Sequence, residues 1–301
     1  MNTVNFMRFR HLSTALSGAA IIIAIVALFM RGLNFGLDFT GGTLLEVQYE
    51  TPPSLEEVKS VLDGAGYRDV VVQNFGSETD VLVRMSESFR DDLGNEVLGL
   101  LKEKGTDELT LLRSEFVGAS VGEELRDQGG IAMLVALFVV MAYVAFSFQW
   151  KFSLGAVLAL FHDVVIIIGL FALFQWEFDL NVLAALLAVI GYSLNDTIVV
   201  SDRIRENFRT MRIGSAIEII NESLSQTLGR TLMTSLTTFL VLMALLFFGG
   251  DIIHNFALAL SIGVAVGTYS SIYIAANLLL AFNISREDLL PPELEEEDDT
   301  P

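Results

Sequence analysis

The chain has 301 residues, with 37 Asp and Glu against 18 Lys and Arg, three His and no Cys, and 52% of it is apolar or aromatic. That apolar content excludes an intrinsically disordered chain. The net charge of −19 excludes a nucleic-acid binder, which needs basic groups to neutralise phosphates. Without Cys there are no disulfides, thiolate metal sites or cysteine nucleophiles.

The apolar residues are bunched into six runs, each long enough to cross ~30 Å of hydrocarbon. They are Leu12–Met30, Gly130–Phe148, Leu154–Phe174, Asn181–Ser201, Leu232–Phe248 and Phe256–Leu280. In lipid each must be a helix, because every backbone N–H and C=O needs an internal partner. Arg8, Arg10 and His11 precede the first run as in a signal peptide. No small-residue cleavage site follows it, only Arg31-Gly-Leu-Asn-Phe, so the run reads as an uncleaved anchor. The basic residues of the amino-terminal tail, the short loops and the carboxy-terminal tail set the orientation. Arg8, Arg10, Lys151, Arg203, Arg205, Arg209, Arg212, Arg230 and Arg286 share one side; the opposite loops, Gln175–Leu180 and Gly249–Asn255, have none. Both termini are therefore expected in the cytoplasm, with residues 31–127 outside.

Residues 31–127 follow soluble-protein rules. Thr43–Glu50 alternates, with Leu44 set apart from Glu46, Gln48 and Glu50, which predicts a strand. Pro52-Pro-Ser54 caps a helix over Leu55–Gly64, with Leu55, Val58 and Leu62 on one face. Strands are expected at Arg68–Phe75, Val81–Met85 and Leu109–Val117, with a turn at Gly76-Ser-Glu. A second helix is expected over Phe89–Lys104, with Leu93, Val97, Leu100 and Leu101 at helical spacing and Gly105 at its end. The order β-α-β-β-α-β is that of the ferredoxin-like split βαβ unit. The expected fold class is thus an α-helical polytopic membrane protein of six transmembrane helices, with an α+β domain between the first two. The remaining units are a tail and first helix (1–30), a five-helix bundle (128–282) with a cytoplasmic loop at 202–229, and an acidic, disordered tail (283–301). The domain carries 20 acids against 9 bases, a solvated surface that could also meet basic polypeptide.

Two glycine-rich flanks adjoin the domain. Gly36-Leu-Asp-Phe-Thr-Gly-Gly42 follows the first span and Phe116-Val-Gly-Ala-Ser-Val-Gly122 precedes the second. Asp38, Thr40, Gly41, Gly42, Gly118 and Gly122 are candidate docking or hinge positions, because glycine permits φ > 0 and close backbone approach. Gly129-Gly130 fits either role.

Ionisable groups inside the bilayer call for a reason, since an Asp at a helix centre costs about 2.5–3.5 kcal/mol on insertion scales. Asp163 lies in the third span beside His162, Asp196 deep in the fourth beside Asn195, Ser193 and Thr197, and Arg230 opens the fifth. Asp196 and Arg230 sit on consecutive antiparallel helices and could meet. Arg230, Thr234 and Thr237 or Thr238 share a helix face. Burial favours the neutral acid and a nearby guanidinium favours the carboxylate, so a moving arginine would load and unload a proton. The competing reading is a structural ion pair. Asp202, Arg203 and Arg205 read as interfacial anchors. Gly263 and Gly267 form a G-x-x-x-G that signals close helix packing. Ala216, Ile219, Ile220 and Leu224 predict an amphipathic helix on the cytoplasmic surface. No G-x-x-x-x-G-K-[ST] and no H-E-x-x-H are present, and the sequence around the aspartates lacks aspartyl-protease contexts. No enzyme activity, metal or cofactor is expected.

These features resemble the SecD/SecF family within the resistance-nodulation-division superfamily. The likeness covers nearly the whole chain and rests on Gly36-Leu-Asp-Phe-Thr-Gly-Gly42, Phe116-Val-Gly-Ala-Ser-Val-Gly122, Leu194-Asn-Asp-Thr-Ile-Val-Val-Ser-Asp-Arg-Ile-Arg-Glu-Asn207 and the stretch from Gly229-Arg-Thr to Thr238. Ala119 stands where the family pattern has Pro, which bears on local hinge stiffness. The resemblance implies a subunit that pairs with SecD, joins the SecYEG channel, admits YajC as a further partner, and uses the proton motive force to help exported polypeptide leave across the bacterial inner membrane. It carries the proton role onto Asp196 and Arg230. Independently, transporters of this class are built from two repeated halves, and this chain holds one. A proton-driven exporter of small molecules or lipids is the alternative within the superfamily, and a non-transporting membrane scaffold is a third reading.

Overall fold

The computed structural model describes residues 3–88, 90–104, 108–211 and 213–289. Among them are six helices long and apolar enough to cross a membrane. They are α1 (Arg10–Arg31), α5 (Ala119–Ser147), α6 (Trp150–Phe174), α7 (Leu180–Thr210), α8 (Ala216–Phe248), and α9 (Asp251–Tyr269) continued through a π-turn at Ser270–Ile274 into α10 (Ala275–Ala281).

Between α1 and α5 lies a small α+β domain built from β2 (Gly42–Tyr49), α3 (Leu55–Gly64), β3 (Val71–Phe75), β4 (Ser77–Met85), α4 (Leu93–Lys104) and β5 (Leu109–Val117). All strand pairs in it are antiparallel, in the order β3-β4-β2-β5. That is the split βαβ arrangement expected from the sequence. The Ser54 hydroxyl accepts the Glu57 N–H and starts α3, as its position after two prolines suggests. Leu45, Val47, Val81 and Val83 on one sheet face pack with Val58 and Leu62 of α3 and Leu93, Val97 and Leu101 of α4. On the opposite face Leu44 and Leu82 are covered by Leu37, which explains an apolar Leu44 on an otherwise polar strand face. The expected positions Phe89 and Gly105 lie outside the described residues.

A short segment joins domain and bundle. β1 (Asn34–Phe35) pairs in parallel with β6 (Glu177–Phe178), which lies between α6 and α7. A single turn, α2 (Leu37–Thr40), then leads into β2.

The connection after the fourth span differs from the expected loop at 202–229. α7 runs on to Thr210, α8 starts at Ala216, and a capping box of Ser215 and Glu218 opens α8. The amphipathic stretch is the first part of α8 and not a surface helix. Its apolar side is taken up by a core of Ile204, Phe208, Ile219, Ile220 and Leu224 with Met7 and Phe152. The start of the acidic tail is likewise folded. Asp288 pairs with Lys151 at 2.6 Å, and Ile284 and Leu289 join that core. Residues 290–301 lie outside the described residues.

The bundle is drawn together at small residues. A Cβ on Gly169 would stand 2.1 Å from the Ala24 Cβ of α1, and one on Gly263 2.1 Å from Val189 of α7. At Gly267 the same test meets Ser193 at 3.1 Å. The G-x-x-x-G thus holds α9 against α7, the helix that carries Asp196. Gly263→Leu should overpack this contact and cost about 1–3 kcal/mol, whereas Gly18→Leu, where an added Cβ meets nothing within 4 Å among the described residues, should be tolerated. Thermal unfolding of the two purified variants checks this; equal melting behaviour would refute the close approach.

Candidate functional site

Asp163 is fully buried (0% exposed) and Asp196 nearly so (7%), on α6 and α7. Hydroxyls from three spans, and His162 of α6 itself, meet them. Asp163 Oδ2 accepts the hydroxyls of Ser193 on α7 at 2.5 Å and of Ser270 on the π-turn at 2.7 Å. Its Oδ1 lies 2.8 Å from Nδ1 of buried His162, whose Nε2 has no hydrogen-bond partner among the described residues. Asp196 Oδ1 accepts the Thr231 hydroxyl of α8 at 2.7 Å, and Oδ2 accepts the Ser271 hydroxyl at 2.5 Å. Beside them runs a hydroxyl chain, Tyr192 to Ser235 at 3.1 Å and Ser235 to Thr268 at 2.6 Å.

Arg230 does not join this cluster. Among the described residues it makes no ion pair with Asp196; Thr231, the next residue, occupies that place. The physical reason is the helical step of about 100° per residue, which turns Thr231 inward and Arg230 outward. Arg230 and Thr234 are exposed, Thr238 is half-buried, and the hydroxyls of Thr234, Thr237 and Thr238 bond carbonyls of their own helix. Asn195 is also exposed. The sequence-predicted relay therefore divides into a buried carboxylate pair and an open face. Ser270, Ser271 and Thr231 are partners that sequence reasoning misses. The one signal for the two serines is a hydroxyl-rich stretch, Thr268-Tyr-Ser-Ser271, inside an apolar span.

The glycine-rich flanks come together at the seam between domain and bundle. Gly41 and Gly42 adopt φ of 68° and 120°, and a Cβ on Gly42 would meet the Met85 carbonyl at 2.5 Å. A Cβ on Gly122 would stand 2.9 Å from Gly41 N, so α5 leaves the domain pressed against α2. Gly118 is the residue before α5 and takes an extended conformation. Thr40 is exposed, its hydroxyl bonded to the Gly36 carbonyl at 3.1 Å. Asp38 Oδ2 accepts the Leu180 N–H at 3.1 Å, beside the Asp179 N-cap of α7. Arg84 donates to the Phe35 carbonyl at 2.8 Å and pairs with Glu177 at 3.5 Å. A cavity of about 180 Å³ lies between sheet and bundle, lined by Asp38, Arg113, Glu115, Glu177 and Asp179 among others. Burial pushes the Asp179 carboxyl up to about 6; the Val182 N–H opposes this, and Glu177 and Asp38 add to it.

Residues 97–285 match the family described as protein export membrane protein SecD/SecF, C-terminal, and residues 26–53 match the SecD/SecF GG motif. The chain belongs to the SecD/SecF family. It is 52% identical over its whole length, and over 99% of theirs, to the protein translocase subunit SecF of Pseudomonas aeruginosa. It is 46% identical to that of Escherichia coli O157:H7, covering 97% of this chain and 92% of the relative. Among solved structures it is similar to SecDF from Thermus, with a TM-score of 0.85 and 40% identity over 94% of this chain and 39% of that one. A second SecDF structure, in a super-membrane-facing form, gives a TM-score of 0.70. This chain thus spans about two fifths of the SecDF chain, and with its six apolar helices it is a multi-pass membrane protein.

The seam makes a pH-dependent prediction. Because the folded-state Asp179 carboxyl lies at about 6, above its ordinary 3.8, folding holds that proton more tightly. Its contribution to stability is complete below about pH 4 and is lost as pH rises through about 6. Asp179→Asn keeps an N-cap acceptor but cannot titrate. The stability of wild type relative to Asp179→Asn should fall from about pH 4 to about pH 7 in thermal unfolding. A difference that does not change with pH would contradict the burial of this group.

Proposed function

We propose that the chain is an accessory subunit of the Sec protein translocase that works with SecD, on the SecYEG channel, to couple proton entry to polypeptide export. It is not an enzyme. It lies in the bacterial inner membrane with both termini in the cytoplasm and residues 31–127 in the periplasm, as the distribution of basic residues supports. YajC is a further partner on this reading. The observation that carries the proposal is two buried carboxylates, Asp163 and Asp196, solvated by hydroxyls in the middle of a membrane bundle. Intramembrane ionisable groups of this kind mark proton relays in pumps and transporters.

The open face supports a second half. Arg230 is exposed on α8 among Leu232, Met233 and Leu236, which are exposed too. A guanidinium there would face hydrocarbon at a cost of ~2.5–3.5 kcal/mol on insertion scales unless a partner covers it. SecD, as the other half of a two-half transporter, supplies that cover, and bilayer lipid meets the rest. One charge crossing ~150–200 mV is worth about 3.5–4.6 kcal/mol. That suffices to tilt a docked domain and falls short of unfolding a stable cargo.

Asp196→Asn keeps the shape and a hydrogen-bond acceptor but cannot exchange a proton. Expressed with SecD in cells, it should reach normal level and lose the uncoupler-sensitive part of export. Arg230→Lys should weaken coupling, because it loses the planar five-donor fork, and Arg230→Ala should weaken it further. Normal level with normal uncoupler-sensitive export in Asp196→Asn would overturn the relay. Depleted protein with normal export per molecule would make Asp196 a structural residue.

A further inference from the structure

The last span carries a device at the carboxylate pair that the relay alone does not require. Ser270 and Ser271 are adjacent and fully buried, and they open the π-turn Ser270–Ile274, in which the Ala275 N–H reaches back to the Ser270 carbonyl. Neighbouring residues on a helix point about 100° apart. Ser270 therefore addresses α6 and Ser271 addresses α7: the first donates to Asp163 Oδ2, the second to Asp196 Oδ2. The glycines at 263 and 267 let α9 come close enough for this, Gly267 standing directly against Ser193, the other hydroxyl on Asp163. π-Turns inside α-helices recur at functional sites.

Each of these hydroxyls has a second acceptor. Ser270 Oγ lies 3.1 Å from the Gly267 carbonyl and Ser271 Oγ 3.0 Å from the Thr268 carbonyl. A hydroxyl has one proton to donate and lone pairs to accept with. When the aspartate is ionised, the serine donates to it. When the aspartate is protonated, its O–H can donate to the serine oxygen while the serine turns its own proton to the backbone carbonyl. Both charge states are then hydrogen-bonded after one C–O rotation, with no movement of the helix. Ser193 and Thr231 donate to Asp163 and Asp196 with no second acceptor among the described hydrogen bonds, so they suit the ionised form.

Resting on the relay reading above, we infer that Ser270 and Ser271 are positioning residues whose alternative hydrogen bonds, Asp163 or Gly267 O for one and Asp196 or Thr268 O for the other, let the two buried carboxylates gain and lose a proton without leaving a polar group unsatisfied. The proton moves between water and carboxylate; the serine returns to its starting state each cycle, so nothing else is consumed.

The test uses the full chain together with SecD in cells and in inner-membrane vesicles. Ser270→Ala, Ser271→Ala and the double variant are compared with Ser261→Ala, a buried serine of the same span whose hydroxyl has no hydrogen-bond partner among the described residues. Steady-state level and the pH profile of uncoupler-sensitive export per molecule are measured. Loss of one hydrogen bond to a charged group corresponds to roughly tenfold or more. The double variant should therefore lose about tenfold or more of the uncoupler-sensitive component, and the single variants should displace its pH profile by about one unit. Ser261→Ala should keep the wild-type profile. Reduced protein level with wild-type export per molecule and an unchanged profile would make the serines structural and overturn the inference. So would normal level with an unchanged profile. Asp196→Asn is run alongside: if it keeps uncoupler-sensitive export, the relay itself fails, whereas its loss beside unaffected serine variants rejects the serine inference alone.

Discussion

Two carboxyl groups buried inside a membrane bundle impose a constraint that the rest of the molecule meets. An isolated carboxylate in a dry interior is too costly to persist, so it must be hydrogen-bonded or protonated. Here the solution is hydroxyl groups from three surrounding elements: Ser193 on α7, Thr231 on α8 and the two serines of the π-turn. Donors of this kind need close backbones, because serine and threonine side chains are short. The small residues supply that closeness. Gly263 and Gly267 bring α9 to α7, and Gly169 admits Ala24 of α1 against α6. Packing and polar chemistry are therefore the same feature seen from two sides.

The seam to the α+β domain follows the same logic at the bundle's edge. Short backbone elements, β1 and β6, and a helix N-terminus shared by Asp38 and Asp179 hold the domain where α7 begins. α7 also carries Asp196. The domain's attachment and the buried carboxylate thus sit at the start and within the length of one rigid helix. On the proposed relay reading, this helix is the route by which a change of charge inside the bundle would reach the domain.

Much of this is legible in the sequence. The helix Leu55–Gly64 and the strand Leu109–Val117 are found at their expected bounds; for the helix, the proline-serine start leaves little freedom. The six spans are legible because length and lack of charge decide them. Three features are not. Arg230 announces itself as a charge, while its inward neighbour Thr231 is hydropathically quiet, and helix phase is settled by a packing partner, not by local sequence. Charges at Asp202, Arg203 and Arg205 suggest an end to α7, although Ser215 and Glu218 spell the capping box that opens α8 only a few residues after α7 really ends. The π-turn has no proline or glycine within Ser270-Ser-Ile-Tyr-Ile274 to announce it, and its serines bond Asp163 and Asp196, which lie far away in sequence.

The central claim is that these carboxyls change protonation while staying inside the bundle. Difference infrared spectroscopy on the purified chain with SecD, titrated through pH in light and heavy water, observes that event directly. The account predicts a carboxylic-acid carbonyl band that grows as pH falls and shifts in heavy water, and Asp163→Asn and Asp196→Asn should each remove part of it. A spectrum in which neither substitution alters any pH-dependent carboxyl band would contradict the account.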